Sequence, residues 1–118
     1  MSLLEKIAVA AHAQNDFYVR AWTMELLRSV DNLGEVERPC LGSSEELALA
    51  AAIIELLALR KGQKPPAWTS AVGGMRAPFY LFPDIDSLPW TKRWCEAESP
   101  EPLKRRNIFA SPEYLTFA

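Results

Sequence analysis

An all-α fold is predicted for this chain, a small helical bundle with a proline-rich C-terminal half of short helices and wrapped loops. Three observations predict it. Apolar residues recur at helical spacing through the first half. Two serines stand three residues ahead of glutamates where such runs begin, Ser2 before Glu5 and Ser43 before Glu46. Of nine prolines, only Pro39 precedes residue 65; Pro65, Pro66, Pro78, Pro83, Pro89, Pro100, Pro102 and Pro112 break up the remainder. A length of 118 residues fits a single helical domain over residues 1–118.

The first helix starts at the Ser2–Glu5 capping box and carries Leu3, Leu4, Ile7, Ala8 and Ala11 on one face. Asn15-Asp16 predicts a break, since both residues prefer caps to helix interiors. A second helix over 16–31 shows two stripes, Val19/Trp22/Leu26/Val30 and Phe17/Ala21/Met24/Leu27. So wide an apolar arc predicts burial on most of its girth, or a partner. A loop over 32–42 leads to a capping box at Ser43 and a helix to about Lys61, ended by Gly62 and Pro65-Pro66. Its interior is apolar except for Glu55, which marks it as the centre of the bundle.

In the second half, Pro65 to Thr69 predicts a rigid extended segment that pins Trp68 onto the helices. Residues 70–75 read as a short helix or a turn. Phe79 to Phe82 reads as a short strand lacking a partner, or as a helical turn or extended packing segment. Ser87 is placed as the cap of a helix through Leu88, Trp90, Trp94 and Cys95. Ser99-Pro100-Glu101 predicts a helix start with serine at the N-cap, and Ser111-Pro112-Glu113 predicts another. Asn107 between them is a left-handed terminator.

Composition narrows the function classes. At 49% hydrophobic and 24% charged, the chain can bury a core and stay in solution. Its net charge of −2 argues against a whole-surface grip on nucleic acid or an anionic membrane. No apolar run reaches the length of a membrane span and no basic segment precedes an apolar stretch. Cys40 and Cys95 are too few for a disulfide scaffold, so a cytoplasmic chain with reduced thiols, no membrane contact and no secretory signal is expected. No phosphate-loop, dinucleotide or nucleophile-elbow motif occurs, and Gly73-Gly74 alone reads as a turn; no cofactor is expected. The two cysteines lack C-x-x-C spacing and no metal site is expected. Asp84-Ile85-Asp86 reads as a solvated loop. No catalytic residue is assigned.

Two polar features remain. Lys104-Arg105-Arg106 is the only dense basic run, and Lys92-Arg93 with Trp90 and Trp94 joins it as a candidate partner-binding set. Within 104–106, successive helical positions diverge by about 100°, so one arginine is expected to pair inside the fold and the other to be free for a partner. Four tryptophans in so short a chain staple irregular segments to the core or form an interface.

From Arg38-Pro39 onward the features run Leu41-Gly42, an Ala/Leu-rich helix, Pro65-Pro66-Ala67-Trp68-Thr69, an aromatic run ending at Phe82-Pro83, Ser99-Pro100, Leu103 to Phe109 and Tyr114-Leu115. This order resembles a group of small bacterial proteins, antitoxin-like or associated with helix-turn-helix regulators. The resemblance covers residues 38–118 and implies a non-enzymatic, antitoxin-like or regulatory protein. It carries over no catalytic residue, and this chain has no recognisable helix-turn-helix of its own.

The sequence thus predicts a non-catalytic protein-interaction module, antitoxin-like or an adaptor, that binds a toxin-like or regulatory protein or associates with itself. A second reading is a nucleic-acid-binding accessory protein using residues 92–93 and 104–106. A third is a small enzyme around His12 and Asp16, the single histidine and a carboxylate one turn on.

Overall fold

The longest apolar run in the chain becomes its longest helix. In a computed structural model that describes residues 1–116, α3 spans Ser44–Arg60, and every residue from Ala48 to Ala58 is buried. Its alanines let neighbouring helices approach, while Leu49, Ile53, Ile54, Leu56 and Leu57 fill the space between them. α1 (Leu3–His12) packs along α3, and α2 (Asp16–Ser29) packs along α1. The described chain is mostly helical, with five α-helices and one two-stranded parallel sheet. None of its helices is long and apolar enough to cross a membrane.

The first half follows its start and stop signals. Glu5 N–H donates to Ser2 Oγ at 3.2 Å and Ser2 N–H donates to the Glu5 carboxylate at 2.8 Å, a complete capping box. α1 ends with Gln14 in the left-handed region (φ +57°), and Asn15 then caps α2 by accepting from Tyr18 N–H. The break at Asn15-Asp16 is therefore present. α2 buries only Val19, Thr23 and Leu26. Its second stripe is not enclosed as the wide apolar arc suggested: Phe17 and Met24 face solvent, because α2 has α1 on one side and little on the other. Ser43 accepts from Glu46 N–H, but the return half of that box is replaced, since the Glu46 carboxylate lies 3.6 Å from His12 Nδ1. α3 stops at Lys61 and Gly62, whose φ of +66° suits glycine.

The second half departs from expectation in four places. Phe79–Tyr80 is a strand, β1, and it has a partner: it pairs in parallel with β2 (Ile108–Phe109), Phe79 opposite Ile108. Two residues per strand are too few to show alternation, and the partner lies beyond two further helices. Ser87 does not cap a helix. It sits inside a 3-10 turn (Ile85–Ser87) with its hydroxyl on the Asp84 carbonyl, and α4 (Pro89–Glu98) begins instead from Leu88 with proline in its first turn. Ser99 is not an N-cap but the C-cap of α4. α5 (Glu101–Lys104) starts from Pro100. Buried Ser99 accepts from Ala110 N–H at 2.9 Å and turns its own proton toward the Cys95 and Ala110 carbonyls, so it joins α4 to the end of β2. Ser111-Pro112-Glu113 opens a single turn rather than a helix, closed by Tyr114 N–H on the Ser111 carbonyl and stopped by Leu115 at φ +57°. Arg60 clasps that turn through the Pro112 and Tyr114 carbonyls. Asn107 is left-handed as expected, at φ +63°.

Candidate functional site

Glu55 organises the basic run. A lone carboxylate inside the buried, otherwise apolar stretch from Ala48 to Ala58 needs a counter-charge, and the end of α5 brings two. Arg106, 6% exposed, sets both terminal nitrogens on the Glu55 carboxylate, Nη2 reaching Oε2 at 3.2 Å, and also donates to the Thr69 carbonyl at 2.8 Å. Arg105 reaches the same carboxylate through Nη2 while half of its side chain stays exposed. Burial alone would raise the Glu55 carboxyl, but the hydrogen bonds from Arg106 and then Arg105 outweigh it and hold the group below the usual carboxylate value.

This corrects the division expected between the two arginines. Both pair inside the fold, because one carboxylate offers enough lone pairs for two guanidinium groups that follow one another in the turn after α5. Lys104 is also engaged: its ammonium donates to the Ala97 carbonyl at 3.1 Å, near the C-terminal end of α4. The residue that sequence reasoning passed over is Glu55, although its isolation within the α3 run was the available signal.

Lys92, Arg93, Trp90 and Trp94 belong to α4. Lys92 binds Asp86 at 2.9 Å and lies over the Tyr80 ring, and the bond to Asp86 raises its pKa. Tyr80 in turn donates to Glu96 at 2.6 Å; burial first, then that carboxylate, push its phenol up to about 12. On its inner side α4 is anchored by buried Cys95, whose thiol is pushed up by burial. Its outer side carries Trp90, 78% exposed, and Trp94, 45% exposed, one turn apart. Arg93 stands over the Trp90 ring at 5.1 Å. The other two tryptophans act as staples: Trp68 donates to the Val36 carbonyl at 2.8 Å, and Trp22 packs against the core under Lys6.

His12 does not pair with Asp16. It joins α1 to the start of α3, with Nε2 3.2 Å from Glu45 and Nδ1 3.6 Å from Glu46, and its ring lies against Phe79. Asp16 has been carried past it by the left-handed turn at Gln14 and instead lines a cleft with Arg20 and Tyr114. The His12–Asp16 pair that the enzyme reading required is not formed.

Comparison with protein-family models, curated proteins and solved structures finds no match to this chain.

Proposed function

We propose that this chain is a non-catalytic protein-interaction module, an antitoxin-like or adaptor protein, that engages a partner protein through the outer face of α4. The observation that carries the reading is the pair of exposed tryptophans, Trp90 and Trp94, flanking Arg93. Trp90 stands mostly in water and Trp94 nearly half so, out of the roughly 150–250 Å² that an aromatic side chain can bury, and Trp with Arg is the composition of binding hot spots. An apolar pocket bordered by carboxylates on a toxin-like or regulatory protein is the complementary surface. The order of motifs from Arg38 to Leu115 supports the antitoxin-like half of the reading. A cytoplasmic setting, where thiols stay reduced, suits the unpaired Cys40 and Cys95.

The nucleic-acid reading is less well supported. Lys92, Lys104, Arg105 and Arg106 all hold acceptors within the chain, and a grip on a nucleic-acid backbone, with its row of phosphates, needs several cations free at once. The test is affinity co-purification of the tagged chain from its own cells, with light scattering to detect self-association. Trp90→Ala and Trp94→Ala should each weaken the complex by about 2 kcal/mol, roughly thirtyfold, with Trp90→Ala leaving the melting temperature unchanged. A complex indifferent to both substitutions, or salt-sensitive recovery of nucleic acid alone, refutes the reading.

A further inference from the structure

The Glu55–Arg105–Arg106 cluster opens onto a cleft of about 420 Å³, whose remaining walls are Ser70, Val72, Gly73 and Gly74. We propose that this cleft is an oxyanion-binding site, taking a phosphate or carboxylate group on Arg105. It does not depend on the reading of α4 above.

The charge at the cleft favours an anion. Glu55 is the one acid in the lining and it faces two arginines, so the cluster carries a surplus positive charge. Arg105 donates to Glu55 through Nη2, leaving its Nη1 and Nε donors on a half-exposed side chain. Arg106 holds the carboxylate from the buried side, and its Nε is a buried donor without an acceptor. That N–H is shut off from solvent, so it adds to the positive potential without itself contacting a ligand.

The glycine pair shapes the other wall. Gly74 is required by packing: a Cβ there would lie 2.8 Å from the Arg106 Cα and carbonyl oxygen. Gly73 has no such constraint. Its φ is not in the left-handed region, and a Cβ would meet nothing within 4 Å. A side chain at 73 would stand in open space at the cleft wall, and glycine keeps that space clear. Among the described residues, neither the Gly73 nor the Gly74 N–H has an acceptor within the chain. Two unpaired backbone donors and the remaining donors of Arg105 line one cleft, and backbone N–H groups with a guanidinium are donor types that bind phosphate and carboxylate groups.

The probes are inorganic phosphate, glutarate and, as an ionic-strength control, chloride, titrated against the labelled full chain and followed by amide and arginine side-chain resonances. The site predicts saturable shifts at Ser70, Gly73, Gly74 and Arg105 Nε with phosphate or glutarate, and none with chloride. Arg105→Gln should weaken binding at least about tenfold, the loss of one charge-assisted bond. Gly73→Val should block the cleft without lowering the melting temperature, which keeps the test open if Arg105→Gln impairs folding. Tighter phosphate binding identifies a phosphate-bearing ligand, and tighter glutarate binding an acidic side chain or small acid; both support the site. Shifts that chloride reproduces, shifts located elsewhere, or affinity unchanged by Gly73→Val overturn it.

Discussion

Replacing Glu55 with glutamine tests the central electrostatic feature of the fold while keeping its shape. Glu55 is 5% exposed and Arg106 6%, so the substitution leaves a buried guanidinium without its counter-charge. Breaking a buried pair costs about 3–5 kcal/mol. The amide oxygen of glutamine still accepts one hydrogen bond, which places the expected loss near the lower end, about 3 kcal/mol. An unfolding entropy of roughly 0.25 kcal/mol per degree for a chain of this length converts that to a fall in Tm of roughly 12 °C. The assay is urea denaturation of both chains from pH 7 to pH 3. Folding lowers the Glu55 pKa below its ordinary 4.5, so the carboxylate's stabilisation is complete above that value. It disappears as pH falls through the lower, folded-state value, because the unfolded chain takes up the proton first. The gap between the two proteins should therefore close with acid. A Glu55→Leu/Arg106→Met double substitution, which removes both charges together, should recover at least half of the loss. A difference under about 1 kcal/mol at pH 7, or one that stays constant down to pH 3, would refute the reasoning.

Three further outcomes follow from the packing of the second half. Gly74→Ala should destabilise by about 1–3 kcal/mol, since its methyl meets the Arg106 backbone, whereas Gly73→Ala should stay within about 0.5 kcal/mol in the same denaturation assay. Ser99→Ala should cost about 1–3 kcal/mol by leaving the Ala110 N–H buried without an acceptor, with amide exchange at Ala110 accelerating in step. The Tyr80 phenol, raised to about 12, should contribute stability that is present below its ordinary value of 10 and lost between pH 10 and 12. Tyr80→Phe should flatten that part of the pH profile, and an unchanged profile would show that burial and the bond to Glu96 do not raise the phenol in solution.

The first half was legible because its signals are local. Ser2 with Glu5, Asn15, Ser43 and Gly62 each act on neighbours within one turn, and the structure places them at the ends of α1, α2 and α3. Two of the misreadings in the second half, at Phe79-Tyr80 and at Ser99, share a cause, in that the partner lies beyond the reach of a local motif. Ser99-Pro100-Glu101 has the form of a helix start, yet the Ser99 hydroxyl is turned to Ala110, just past the end of the strand β2 that pairs with β1. The same pairing sets Gly74 on the backbone of Arg106 and draws the Met75 N–H to the Arg106 carbonyl, and none of this leaves a periodic trace.

The basic run shows how far charge patterning alone reaches. Three adjacent cations near aromatics resemble a phosphate-binding patch, and on an exposed helix they would be one. Their direction was decided elsewhere, by a single carboxylate in the most apolar stretch of the chain. Burying Glu55 without a partner would cost several kcal/mol, a large fraction of the roughly 5–15 kcal/mol that holds a domain together. α5 is one turn long and cannot persist alone. The ion cluster and the burial of Leu103 therefore hold α5 against α3, and α5 in turn delivers β2 to β1. On this argument Glu55 is the point through which the helical first half directs the irregular second half. It draws two of the five candidate cations inward: Arg106 is buried against it through both terminal nitrogens, while Arg105 reaches it through Nη2 and stays half exposed.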